Sequence, residues 1–415
     1  MSLPIRTLPI LEQWDCCGCG ICCRATIIRL NDQDVERIRS QRWEEDPDYR
    51  GMKVLVRQGL FRPRYRLAQR RDGNCIFYTA ERRCRIHELH GLEAKPLICQ
   101  QFPLQVVPLD KVAHVTLRRN CPTAAADRGR PLAEQLGDVR AMVRRSDKPP
   151  APIRAPMVTR RSRRPWPDTH RVFELLERLL RDDRYPLVRR VVHGLTFCRL
   201  LDLCRLRRLS GERFRSLLSM LETSAVGESA GFFQARRPPG RLAAMLFRQT
   251  ALEYVRLHPK FIVERSWGER LRLIRAAAAF GRGRGRVPPL HPHFPETTFE
   301  ALQKPLGHLA EEVQRPLLAY FEAMGASKRY AVMLRRRWSI TESFRSLALG
   351  YPMSLWLLRL SCGGRPPTVD DMIDVVGALD RGETYAPLAG RRHRRRVSWM
   401  VRGGELARLT VWYAR

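Results

Sequence analysis

The chain has 415 residues, a length that predicts two or three domains, each able to bury a core without disulfide or metal staples. It carries 76 Lys+Arg against 42 Asp+Glu, a formal charge of +34, and 44% of its residues are hydrophobic. No apolar run approaches the roughly 18 residues of a membrane span, and MSLPIRTLPILEQWD at the start has no apolar export core, so neither export nor membrane spanning is supported and a cytoplasmic protein is expected.

In chain order, ATIIRL (25–30) predicts a short strand, and NDQDVERIRSQ (31–41) a helix capped by Asn31 or Asp32, with acids in the turn where the helix dipole favours them. RYRLAQ (64–69) is a second extended run. CIFYT (75–79) and CRIHEL (84–89), joined by AERR, predict a compact hairpin-like unit with Cys75 and Cys84 near its arms. LQVV (104–107) and VAHVTL (112–117) predict another hairpin. Residues 146–169 are proline-rich and basic, which suits an extended linker.

Beyond the linker, apolar residues recur at three- and four-residue spacing, as in HRVFELLERLLRDD, PLVRRVVHGLTFCRLLDLCRLRRL and SGERFRSLLSMLETSAV. Further helices are expected over 240–257, 268–280, 298–325 and 329–349. TTFE (297–300) has a capping-box pattern, and a helix beginning at Thr368 should stop at Gly382. GRGRGR (281–286) and RRHRRR (391–396) read as loops or solvated arms. The fold class is α+β: a small, loop-rich cysteine-cluster metal domain (1–130), a basic Pro-rich linker (131–168) and a mostly α-helical basic domain (169–415).

The basic excess lies mainly after residue 125, where 55 Lys+Arg face 28 Asp+Glu. It admits nucleic acid as a partner, since polyanions release counterions to basic surfaces. Only seven of the 76 basic residues are Lys, however, a skew that GC-rich coding would also produce. An unidentified protein partner of the helical domain is the other expectation.

Cysteine runs the other way: nine of twelve precede residue 125. Cys16, Cys19, Cys22 and Cys23 form C-x-x-C-x-x-C-C, with Cys17 inside it. Two-residue gaps let a tight turn aim sulfurs at one point, as zinc or an iron-sulfur cluster requires, and Gly18 and Gly20 supply the backbone freedom such a turn needs. Cys75, Cys84, Cys99 and Cys121 each sit beside a turn or proline. Together the eight would close two four-ligand sites, or one cluster and one zinc. The plainer alternative is that the later four are small buried hydrophobes. His87 and His90, three apart beside Cys84, are possible imidazole ligands but more simply solvated or packed, and His114 lies in a strand. Cys198, Cys204 and Cys362 sit in apolar helical patterns and are read as packing residues. No P-loop, H-E-x-x-H or G-x-S-x-G occurs, and the extra cysteines spoil a thioredoxin-like pair.

WDCCGCGICC, GNCIFYTAERRCRIHE, EAKPLICQQFP and RRNCP, in this order and over residues 14–123, resemble the YkgJ-type cysteine-cluster family, a zinc- or iron-chelating domain. The resemblance implies metal ligation by Cys16, Cys19, Cys22, Cys23, Cys75, Cys84, Cys99 and, less directly, Cys121. Lys95 and Gln100 depart from the arginines frequent around that family's Pro-Cys motif, and Cys17 is an additional thiol. A similar cluster in the bacterial flagellin lysine N-methylases implies an alternative, an iron-sulfur protein methyltransferase. A zinc-stabilised nucleic-acid-binding protein is the third expectation, and an iron-sulfur oxidoreductase is the enzyme class that a redox-active centre would imply.

Overall fold

A computed structural model describes residues 2–24, 26–59, 64–146, 149–235, 237–258, 267–289, 294–333 and 338–415. The N-terminal third holds β1 (Ile5–Thr7), β2 (Arg29–Leu30), α1 (Asp32–Ser40), β3 (Leu55–Gln58), β4 (Arg64–Leu67), α2 (Arg85–His90), α3 (Leu97–Gln101), β5 (Leu104–Pro108), β6 (Ala113–Leu117) and α4 (Pro122–Ala125). Two small sheets result. In the first, β6 pairs antiparallel with β5 and parallel with β1; in the second, β4 lies antiparallel between β2 and β3. Asn31 caps α1 by accepting the Asp34 amide at 2.7 Å, one of the four amides that every helix start leaves open.

CRIHEL departs from its expected hairpin arm. Only Cys84 bridges, to Tyr78, and it then caps α2, which occupies the rest of the motif. The stretch read as a linker is also structured: α5 (Leu136–Arg144) packs on β1 and α3, and β7 (Met157–Thr159) pairs with β8 (Ser162–Arg163) against the helical region. Val158 is fully buried, so this segment is part of the core boundary rather than a free tether.

The helical region follows with α6 (Trp166–Arg181), α7 (Leu187–Leu203), α8 (Gly211–Ala235), α9 (Arg241–Val255), α10 (Trp267–Arg282), α11 (Glu311–Ser327), α12 (Arg329–Val332), α13 (Ile340–Ala348), α14 (Gly350–Cys362), α15 (Val369–Thr384), α16 (Ala386–Ala389), α17 (Arg391–Val401) and α18 (Glu405–Tyr413). Among the described residues no helix is long and apolar enough to cross a membrane. Thr368 caps α15 with a full capping box to Asp371, but the helix runs past Gly382, whose missing side chain admits Tyr254. TTFE caps only a single tight turn, Ala301–Gln303, before α11 begins. RRHRRR opens α17 instead of forming a solvated arm, because His393, Val397 and Met400 share one buried face.

Three apolar clusters organise the molecule. The largest joins the helices around residues such as Trp356, Phe344 and Phe321, and takes in Val107 of the first sheet and Leu109 just past β5. A second, around Trp43, Phe77, Cys23 and Cys75, lies beneath the second sheet. The third, around Val115, Leu117, Cys121 and Ala124, covers the other face of the first sheet.

A buried ion network fastens the two regions. Arg118, just past β6, donates to Asp380 of α15 at 2.6 Å; Arg329 also pairs with Asp380, and reaches Glu383 at 3.1 Å. Asp380 is wholly enclosed and Arg329 is 5% exposed.

Candidate metal centre

The C-x-x-C-x-x-C-C run ends in one tight turn, Ile21–Cys23, closed by the Cys23 amide donating to the Gly20 carbonyl at 2.9 Å. Gly20 has φ of +63°, and a Cβ there would lie 2.3 Å from the Arg82 carbonyl oxygen, so the loop before Cys84 presses directly on this turn. Gly18 also has positive φ, +71°, but faces open space. Gly18→Ala is expected to cost about 1 kcal/mol of backbone strain, and Gly20→Ala about 3 kcal/mol or more because the backbone contact must also give. Urea unfolding of both variants separates the two costs.

Long-range contacts assemble the remaining thiols. The Cys75 amide donates to the Cys23 carbonyl at 2.8 Å, and Gln69 bridges Cys75 in the next strand pairing. α3 brings Cys99, and the loop before it brings Lys95, whose side chain is buried. Cys23 is in side-chain hydrogen-bond contact with both Cys22 and Cys84.

The thiols line two cavities. One, about 280 Å³, is bounded by Cys16, Cys17, Cys19, Cys22, Cys84, Cys99 and Cys121, with Lys95 and His87 on its wall. The other lies toward the helical region and is lined by Cys22, Cys23, Cys75, Cys84 and Cys99. Cys22, Cys84 and Cys99 thus border both, whereas Cys23 and Cys75 sit behind the first cavity in the apolar cluster. Cys121 stands in a different cluster, capping α4, with its sulfur 3.1 Å from the Thr123 hydroxyl. Cys16, Cys17 and Cys19 are exposed. Among the described residues no three Cys, His, Asp or Glu side chains are gathered as a single ion requires.

The electrostatics divide these thiols. The hydrogen bond from Cys23, aided by the nearby Lys95 charge and opposed by burial, brings Cys22 down to about 7 and Cys84 to about 6. Cys23 itself is held far up as the shared donor. Burial pushes Cys75 to about 12 and raises Cys99 and Cys121; Cys19, an exposed residue, is raised to about 12 by partial enclosure of its thiol and by the neighbouring Cys17. Burial alone would lower the Lys95 ammonium; the Cys84 and Cys22 thiolates outweigh it and raise it instead. In metal-free protein at pH 7, iodoacetamide is therefore expected to modify Cys84 and Cys22 ahead of Cys19, although Cys19 is the more exposed; peptide mapping reads the order. Faster alkylation of Cys19 than of either would contradict this ordering.

His90 packs edge-on against Trp43, with ring centroids 5.5 Å apart, and stands apart from the thiols. His87 lines the small cavity, its pKa lowered by burial and by Lys95. Burial and Lys328 bring His114 down to about 4, and its Nδ1 has no partner. Cys198 and Cys362 are buried helical residues, and Cys204 bonds the Leu200 carbonyl at 3.4 Å. GRGRGR begins in the last turn of α10, at Gly281 and Arg282, and contains no strand-to-helix turn: Gly283 packs on Arg248, and the Gly285 amide donates to Glu300. Sequence reasoning passed over Lys95 as a charge partner of the thiols; its cation placed two residues before a cysteine-bearing helix was the available signal.

Residues 15–122 match the CxxCxxCC family, described as "Putative zinc- or iron-chelating domain". Comparison with curated proteins and with solved structures returns no match.

Proposed function

From the CxxCxxCC domain at residues 15–122 we propose that the chain is an iron-sulfur protein, its cluster seated in the smaller thiol-lined cavity. The observation that carries this is the shape of the donor set. Seven thiols border a space of about 280 Å³, room for a group larger than a single ion. A four-thiolate zinc site closes its sulfurs to about 2.3 Å from the metal and leaves no such space, whereas a cluster brings its own irons and sulfides. Cys16, Cys19, Cys22 and Cys84 are the proposed ligands, with Cys99 and Cys121 at hand on the same wall. Cys22 and Cys84 already favour the thiolate that ligation needs.

When bound, such a cluster supplies one-electron chemistry. The chain's own residues set its surroundings: the Cys23 thiol, beside Cys22 and Cys84, has one proton to share with their sulfurs, Lys95 offsets thiolate charge, and the exposed Cys16–Cys19 turn leaves one edge near solvent for a redox partner. Anaerobically purified protein should absorb broadly near 400 nm and bleach with dithionite; a colourless protein with stoichiometric zinc would reject the cluster.

A second reading has its own observation. Arg160, Arg391, Arg394, Arg395 and Arg402 surround a surface cavity beside the exposed indole of Trp399, on which Arg402 stacks at 3.8 Å. Cations beside an accessible aromatic suit single-stranded nucleic acid. Glu342 occupies Arg160 and Arg394, leaving fewer charges for phosphates. Retention on single strands should weaken about tenfold or more between 50 and 200 mM salt, and Arg395→Gln should flatten that slope; salt-independent binding would reject this reading.

A further inference from the structure

The larger cavity, about 840 Å³, lies between the thiol-bearing domain and the helical region, and the proposed cluster does not account for it. Its domain-side wall includes Arg24, Ile27 and Ile98; its helical wall includes Arg256 and Leu257 beyond α9, and Arg381 of α15. Ile27 and Ile98 are 47% and 48% exposed and give this wall an aliphatic surface. Apart from the Cys22 and Cys84 thiolates, which lie by Lys95, the charged residues along the wall are cations, namely Arg24, Lys95, Arg118, Arg256 and Arg381, and among the described residues no Asp or Glu lines it.

Some of these cations have partners behind the wall. Arg118 is held by Asp380, Arg256 by Glu253 at 3.4 Å, and Lys95 faces the thiols. Arg24 and Arg381 differ: among the described residues neither has a carboxylate at ion-pair distance, and Arg381 donates only to the Leu257 carbonyl, at 3.2 Å. Asp374 and Asp380 are in electrostatic reach of Arg381 but off the cavity wall. The two guanidiniums also repel one another, since burial first and the Arg24 charge next lower the Arg381 pKa. Two like charges facing one space, with no acid between them, are stabilised by an anion that reaches both.

We propose that this cavity binds a small amphipathic organic anion, its carboxylate or phosphate bridging Arg24 and Arg381 and its apolar body against Ile27, Ile98 and Leu257. The volume lies within the range of small-molecule sites, and apolar walls with a few fixed charges are their usual makeup. Cys22, Cys84 and Cys99 border the same space, so the bound molecule would lie next to the thiol centre. The inference does not depend on which group that centre holds.

The full-length protein as purified is titrated with 8-anilinonaphthalene-1-sulfonate, an aromatic anion that fluoresces in apolar surroundings. Saturable binding is expected, weakened at least about tenfold in Arg24→Gln/Arg381→Gln and less in Arg24→Gln alone, which leaves the Arg381 guanidinium in place on Leu257. Arg207→Gln/Arg213→Gln, which removes two exposed charges elsewhere, should leave the affinity within about twofold. Uncharged N-phenyl-1-naphthylamine should bind wild type and the Arg24/Arg381 variants alike, which also shows that the cavity survives the substitutions. Displacement by decanoate or by decyl phosphate tells which head group the arginines prefer. Absence of saturable binding, or equal affinity in wild type and the double variant, would overturn the proposal. Metal and visible absorbance are measured on the same samples: a metal-free wild type that still binds the anion overturns the cluster and not the cavity, and the converse result overturns the cavity alone.

Discussion

Cys84→Ser is expected to leave purified protein with at least about tenfold less metal than wild type, whereas Cys17→Ser should retain most of it. Cys84 combines several roles. It borders both cavities, caps α2, contacts the Cys23 thiol and forms its thiolate at about 6. A serine hydroxyl in that place stays protonated at neutral pH and leaves the Cys23 donor and the Lys95 cation without their anion, so the lost ligand is compounded by unpaired neighbours. Cys17 is exposed and its main contact is with Cys19. Metal analysis of the two variants beside Cys204→Ser, a change in the helical region, reads the difference. Wild-type metal content in Cys84→Ser would remove it from the ligand set.

Asp380→Ala is expected to destabilise the protein by about 3–5 kcal/mol. The carboxylate is wholly enclosed and answers two arginines, Arg118 from the thiol domain and Arg329 at the start of α12. Removing it takes the shared anion from both guanidiniums: Arg329 keeps Glu383, at 3.1 Å, whereas Arg118 keeps only the main-chain carbonyl of residue 380, at 3.2 Å, and the Thr384 hydroxyl, at 3.5 Å. Because Arg118 lies at the edge of the larger cavity, the variant should also loosen the seam between the regions; urea unfolding, with limited proteolysis near residue 118, measures both. Burial acts to raise the Asp380 pKa, but Arg118 and Arg329 outweigh it and hold it below the usual 3.8. Its contribution is thus fully present above about pH 4 and is lost as pH falls below that, so wild type should lose more stability in acid than Asp380→Ala does.

Local features were legible in the sequence where one residue decides the outcome. Asn31 and Thr368 cap helices as their side chains dictate, and the β5–β6 hairpin follows from alternating apolar residues on either side of PLDK. RRHRRR was opaque because five arginines mask a narrow apolar stripe. His393, at the head of that stripe, bonds the Ser346 hydroxyl at 2.9 Å, and Arg394 pairs with Glu342 at 2.7 Å, contacts that only tertiary packing reveals. CRIHEL became a helix because Cys84 is the last paired residue and the chain turns there.

The thiols show the same limit. Spacing identified which cysteines belong to the special region, and the family match at residues 15–122 agrees with that. It does not say which sulfurs share a space. That division depends on α3 and the loop before α2 folding back onto the Gly20 turn, and it sets Cys23 and Cys75 behind Cys22, Cys84 and Cys99 while placing Cys121 across the small cavity. Lys95 and the arginine-lined cavity arise only where distant segments meet.

The most direct test of the account is the ratio of iron to acid-labile sulfide in full-length protein purified without oxygen. Near-equal iron and sulfide, both lost together in Cys84→Ser, is the predicted result; zinc without sulfide, or normally folded protein holding neither metal nor sulfide, would contradict it.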